Sequence, residues 1–285
     1  MRNLLLVVLI VSWTGILAQD DLLALVEEES SETTFTEATF KGTRLINGHS
    51  IETRKKGVLD FIISHRFGTL NGGSYELWGL DQADIRLGLE YAVTDQLYIG
   101  LGRSSFEKTY DGFVKYRILR QEDGGGGMPI SLTLFNSLAI KTLRNRTVDP
   151  SFVQKLASTH QLLIARKMSP KVSLQVMPTL VHKNLILEEE TNNDAFAIGM
   201  GGRVKISQRV ALVVEYYYQL QKIVDSTFNP IAIGFDIETG GHVFQLQFTN
   251  ARAMVPKGFI TETTEDFFDG GVHFGFNISR TFQVN

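Results

Sequence analysis

The chain has no cysteine among its 285 residues, which excludes disulfides, thiolate metal sites, a cysteine nucleophile and a lipid-modified N-terminal cysteine. It has no strong excess of charge: 28 basic residues face 31 acidic ones, for a net charge of −3. That balance is too even for a polybasic binder of nucleic acid or membrane surfaces, so no nucleic-acid partner is expected. Beyond its N-terminus it also lacks any apolar run long enough to form a membrane helix.

The N-terminal run is short. Arg2 supplies a positive start, Leu4 to Leu17 an apolar core, and Ala18 a small residue before Gln19-Asp20. This pattern predicts a signal peptide over residues 1–18, although Ile16 is not the small residue preferred at its position. Residues 19–57 are acidic and Thr-rich without strong periodicity, and they read as a periplasmic N-terminal extension or a partial plug.

What fills the rest, residues 58–285, is alternation. Leu59, Phe61 and Ile63 alternate with Asp60, Ile62, Ser64 and Arg66; Ile85, Leu87, Leu89 and Tyr91 alternate with Asp84, Arg86, Gly88 and Glu90. The same period of two returns around Leu97, Val114, Leu132, Val172, Ile198, Val210, Ile231, His242 and Val272, while Phe152 to Lys167 is ambiguous in phase. Strands of roughly ten residues with one apolar and one polar face suit a transmembrane barrel, whose closed ladder satisfies every backbone group inside lipid. The fold class expected is all-β, an antiparallel transmembrane β-barrel of about 12 strands, in the size range of such barrels.

The connections sort into short ones, at Val93–Gln96, Gly124–Gly127, Ser169-Pro170, Ser207–Arg209 and Thr239–Gly241, and longer ones between them. Among the longer are Thr69–Leu80, Ser104–Thr109, Leu143–Ser151 and Ala251–Gly270. Short turns on one side and long loops on the other match outer-membrane barrels, with both termini periplasmic. Trp78, Tyr91, Tyr98, Tyr110, Phe228 and Phe282 fall near strand ends, where interfacial girdles are expected.

Several longer motifs stand out: Thr43-Arg44-Leu45-Ile46-Asn47-Gly48-His49-Ser50, Lys108 to Tyr116, Gly234 to His242, and His273 to Arg280. With Gly79-Leu80-Asp81-Gln82, they resemble an uncharacterised Bacteroidota family of outer-membrane proteins, a domain of unknown function described as a membrane-bound β-barrel. The resemblance runs from about Phe40 onward and implies location and architecture. It brings no catalytic or binding residue with it.

Candidate chemistry is sparse. Gly124–Gly127 lacks the Lys-Ser/Thr of a phosphate loop and reads as a hairpin turn. The six histidines, His49, His65, His160, His182, His242 and His273, show no metal-ligand spacing and read as strand-end or lumen polar residues; no metal or cofactor is expected. Ser64 and His65 are adjacent and therefore on opposite faces, whereas Ser158 and His160 share one. No lipase motif surrounds them, so enzymatic activity is not expected. Asn145-Arg146-Thr147 matches a glycosylation acceptor, without meaning in the expected compartment.

One set of residues is singled out. Asp60, Arg66, Asp84, Arg86, Glu90, Lys115, Arg117, Lys141, Arg203, Lys205, Glu215, Asp236 and Glu238, with Lys171, lie opposite the apolar stripe. A charge facing lipid near the midplane costs roughly 2–4 kcal/mol, so these should point into the lumen. Two readings follow: a hydrophilic pore for an unidentified small solute, or a lumen braced by ion pairs that serves as a non-conducting scaffold or interaction barrel. Inward glycines such as Gly100, Gly199 and Gly201 leave room and favour a cavity. Membrane lipid and the outer-membrane assembly machinery are the expected partners.

Overall fold

The computed structural model describes residues 34–123, 127–144, 150–185, 192–240 and 242–284. The signal-peptide region, most of the four-glycine turn and the Asn145-Arg146-Thr147 sequence lie outside the described residues. The chain divides into two units. In the smaller, Phe35 bridges to Glu122, and the Asp123 amide donates to the Thr34 carbonyl at 2.8 Å.

The larger unit is a closed antiparallel barrel of twelve strands. They are β1 (Val58–Thr69), β2 (Ala83–Ala92), β3 (Leu97–Ser104), β4 (Thr109–Leu119), β5 (Ser131–Lys141) and β6 (Leu156–Lys167), then β7 (Val172–Lys183), β8 (Asp194–Lys205), β9 (Val210–Gln221), β10 (Ile231–Thr239), β11 (His242–Thr249) and β12 (His273–Gln283). Each pairs with its sequence neighbour, and β1 closes on β12 through Leu59 opposite Phe282 and Ser64 opposite Asn277. Closure leaves no unpaired edge, which is the condition for crossing hydrocarbon with strands.

Burial alternates residue by residue along the body of the strands, lapsing at ends such as the short-turn ends of β10, β11 and β12, and the alternation assigns the faces. Outward positions are apolar: Leu87, Leu89, Leu101, Leu134, Leu138, Leu174 and Met200 are all exposed. A continuous band of such side chains around a closed barrel matches a bilayer rather than water. The ambiguity in Phe152–Lys167 resolves with Thr159, Gln161, Leu163 and Ala165 inward and Ser158, His160, Leu162 and Ile164 outward.

Two connections differ from expectation. Between β3 and β4 the chain needs only a four-residue turn containing the 3-10 segment Phe106–Lys108, although it lies on the long-loop end. Between β4 and β5, on the short-turn end, residues 120–130 intervene, more than four glycines require. Tyr98 is not a girdle aromatic: it is fully buried and its hydroxyl donates to Asp60 at 2.7 Å. Lys171 sits exposed in a turn.

Two segments enter the barrel. From the short-turn end, residues 36–56 run inward and carry a hairpin, with the Leu45 amide donating to the Gly48 carbonyl at 2.9 Å and the Ser50 amide to the Thr43 carbonyl at 3.0 Å. Ile46 and Asn47 form its tip, between Leu45 and Gly48. From the long-loop end, the β11–β12 connection folds inward through the short helix α1 (Pro256–Thr261), every residue of which is buried. Phe40, Leu45, Ile46 and Ile51 from the first segment and Phe259 and Ile260 from the second join one apolar core with Phe113, Phe135, Leu163, Met177 and Tyr217 of the strands.

Candidate functional site

Apart from Lys171, the charges predicted for the lumen sit at inward positions of their strands, and seven of them hold the 36–56 segment. Glu90, fully buried, accepts from Arg44 Nη2 at 2.7 Å and from the Thr43 hydroxyl at 3.1 Å. Lys115 donates its three protons to the carbonyls of Thr43, Ser50 and Glu52 at 3.1, 2.9 and 3.0 Å. Glu215 accepts the amides of Ile46 at 3.1 Å and Gly48 at 3.0 Å. Asp60 pairs with Arg54 at 2.7 Å, Arg66 donates to Asn47 at 2.6 Å, Arg117 donates to Thr53, and Glu238 pairs with Lys41 at 2.6 Å. The Lys115 ammonium has all three donors matched by carbonyls and the Glu215 carboxylate accepts two amides, partners of the kind a charge removed from water requires.

The other predicted residues do different work. Asp84 accepts from Arg252 of the second insert at 2.8 Å. Arg86 forms a two-point pair with Asp111 on β4, at 2.9 and 2.5 Å. Asp236 accepts from Gln245 at 2.8 Å, and Lys141 pairs with Glu107 at the long-loop rim. Arg203 is buried on β8, and Lys205 stands half-buried near the short-turn end.

Sequence reasoning missed the other half of this socket. Gln175 donates to the His49 carbonyl at 2.8 Å and accepts the Ile51 amide at 2.7 Å; Gln245 donates to the Leu45 carbonyl at 2.7 Å and Asn277 to the Ile46 carbonyl at 3.1 Å. The signal available was the compact run Thr43–Ser50 itself, which supplies most of these partners. The room left by inward glycines is also taken: a Cβ on Gly100 would lie 2.3 Å from the Phe113 ring, and one on Gly201 2.5 Å from Leu45. Those glycines make space for filling side chains rather than for a channel.

His49 lies on the returning arm of the hairpin opposite Arg44, its ring tilted against Phe135 at 4.2 Å and edge-on to Phe113 at 4.5 Å. Burial, together with the nearby Arg44, Lys115 and Arg86 cations, holds its imidazole well below the ordinary histidine range, so it is neutral. At the other end, burial would raise the Glu262 carboxyl, but Lys257 at 2.9 Å and Lys183 at 3.0 Å hold it down to about 2. His65, His160 and His182 point to the outer surface, not the lumen, while His273 points inward. No group of three or more metal-ligating side chains is assembled among the described residues.

A cavity of about 460 Å³ lies beside the 36–56 segment at the short-turn mouth, with Lys41, Arg54, Asp95, Arg117 and Glu238 among its walls.

A family model described as "Membrane bound beta barrel domain" matches residues 40–282. The chain belongs to that family. The match begins at Phe40, so the family's domain includes the luminal segment as well as the strands. No curated protein matches the chain. Among solved structures, the NanC porin aligns at a TM-score of 0.50 with 6% identity, over 79% of this chain and 100% of that one. The outer membrane protein Omp33 of Acinetobacter baumannii aligns at 0.41 with 8% identity, over 79% and 97%. Outer membrane phospholipase A of Escherichia coli aligns at 0.41 with 9% identity, over 84% and 98%. At these identities the likeness concerns the fold of this membrane-bound barrel.

Proposed function

We propose that this protein is a self-plugged, non-conducting barrel of an outer membrane, with both ends of its chain on the periplasmic side. The observation that supports this most is the occupancy of the lumen: residues 36–56 fill it from one end and the β11–β12 connection from the other, and the two share a single apolar core. A water-filled path needs a continuous polar bore, whereas Leu45, Ile51, Phe113, Phe135 and Phe259 pack here without solvent. Such a barrel presents its outer face and its rims for function. The test is planar-bilayer recording of the intact, refolded chain. Baseline current at low voltage is expected; a steady ohmic conductance from the intact chain overturns the reading.

A second reading, passage of a small polar solute, draws on the cavity at the short-turn mouth, where a path would begin if residues 36–56 withdrew. It requires conductance to appear only when that segment is unseated.

A further inference from the structure

Apart from Arg166 near the short-turn end, the outward face of β5 and β6 departs from the apolar rule at one place. Along β5 the outward residues are Leu132, Leu134, Asn136, Leu138 and Ile140; along β6 they include Ser158, His160, Leu162 and Ile164. Asn136 and His160 are direct partners across the β5–β6 ladder, and Ser158 stands two residues from His160 on the same face. Their side chains form a connected chain: His160 Nδ1 lies 2.7 Å from Asn136 Oδ1, and His160 Nε2 lies 3.1 Å from Ser158 Oγ. We infer that Ser158, His160 and Asn136 form a hydrolytic triad on the outer face of the barrel, acting on the carboxylic esters of membrane phospholipids.

Three features carry this. The first is order: a hydroxyl, an imidazole touching it through one nitrogen, and an acceptor fixing the other nitrogen are the parts of an activated serine. With Asn136 Oδ1 accepting the Nδ1 proton, Nε2 is left with its lone pair toward the Ser158 hydroxyl, as a general base requires. An amide also orients the ring without placing a full charge against lipid, where an aspartate would be costly.

The second is depth. β6 starts at Leu156 on the long-loop end. At ~3.3 Å per residue and a tilt of ~35–45°, Ser158 and His160 sit roughly 5 and 10 Å below the end of the strand. That level is near the boundary between headgroups and hydrocarbon, where the ester bonds of a phospholipid lie, rather than at the midplane.

The third is a seat for the lipid. An apolar trough of about 1100 Å³ runs over the outer surface of β2–β5, walled by Leu87, Leu89, Leu101, Val114 and Leu138, and reaches Asn136 and His160. Arg103, stacked on Tyr110 at 5.4 Å, also lines the trough and stands toward its long-loop end, placing a cation where a lipid phosphate would rest.

The chemistry balances with water as the only co-reactant. Ser158 Oγ attacks the ester carbonyl carbon as its proton passes to His160 Nε2, and the carbonyl π pair moves onto oxygen. Collapse of the tetrahedral adduct breaks the bond to the glycerol oxygen, which leaves as an alcohol with the proton from His160. A water molecule, deprotonated by His160, then attacks the acyl–Ser158 ester; the fatty acid departs and Ser158 regains its proton. The inference concerns the outer face alone and does not depend on whether the lumen conducts.

The test uses the intact refolded chain in mixed micelles of detergent and dioleoylphosphatidylglycerol, with fatty-acid release followed by titration and Ser158 labelling by an alkyl fluorophosphonate followed by mass spectrometry. Release and labelling are expected, with both lost by about a thousand-fold or more in Ser158→Ala and His160→Gln. Heat-dependent migration on gels checks that each variant is a folded barrel, which these outward substitutions leave intact. His182 stands opposite Ser158 across the β6–β7 ladder but is bound to Asp194 at 2.7 Å, and His182→Gln should keep the parent rate. No release and no labelling by the folded parent protein overturns the proposal. So does release that persists in Ser158→Ala, or that depends on His182 and not on His160.

Discussion

The Tyr217 hydroxyl stands 2.4 Å from the position a Cβ on Gly48 would take, so the hairpin and the β9 tyrosine fit only because residue 48 has no side chain. Tyr217 is itself fixed, fully buried, with its hydroxyl near Met177 and its ring edge-on to Phe259 at 5.4 Å. Gly48→Val should therefore unseat the 36–56 segment while the twelve-strand ladder persists. Trypsin cleavage after Arg44, which is buried in the parent protein, should become rapid, and mass spectrometry of the fragments reads it. Unchanged protection of Arg44 would show that the contact does not hold the segment.

Arg44 and Glu90 are a buried pair, and removing one partner of such a pair costs about 3–5 kcal/mol because the other charge is left stranded. Glu90→Gln should release the segment as Gly48→Val does. Adding Arg44→Met should recover much of the loss, since an apolar replacement of the whole pair is often near neutral. Urea titration of the four proteins in lipid vesicles measures the coupling, and additive effects would mean that the pair contributes little.

The strands were legible because each has a different solvent on its two sides, which writes a period of two into residues such as Ile85 to Tyr91. The socket was not, because the alternation says only that Glu90 or Lys115 points inward. Whether the lumen holds water or chain depends on contacts far apart in sequence, such as Glu215 with Gly48. Gly201 illustrates the ambiguity: a missing side chain reads the same whether water or Leu45 fills the space. Tyr98 likewise carries a girdle residue's identity, and only its bond to Asp60 places it inside. Ser158, His160 and Asn136 lay in or opposite the one stretch whose phase the sequence left open.

His49 makes docking of the segment pH-dependent. Its imidazole titrates well below the ordinary range when seated, and near 6.5 once released into water. The released state therefore binds the extra proton, so seating is at full strength above about pH 6.5 and weakens as pH falls below it. Glu262, held down to about 2, keeps its charge through that range, so the second insert stays anchored. Trypsin susceptibility at Arg44 should rise between pH 7 and pH 5, read by brief digestion after pH jumps. In His49→Phe the rise should be much smaller; an equal rise in that variant would assign the effect to another group.

Neighbouring residues on β2 separate lipid from socket. Leu87 is exposed on the outer face, and Leu87→Arg should cost about 2–4 kcal/mol by placing a cation in hydrocarbon. Arg86→Leu would be harmless if the lumen held water, because Asp111 would then be solvated. In this closed lumen both members of the pair are buried, so Arg86→Leu strands the Asp111 carboxylate and should cost about as much as the outward arginine. The two losses differ in how they are repaired. Asp111→Leu should restore most of the stability of Arg86→Leu and none of that of Leu87→Arg, measured as folding free energy in vesicles. If Arg86→Leu alone leaves the barrel as stable as the parent, water reaches Asp111 and the lumen is open at that level.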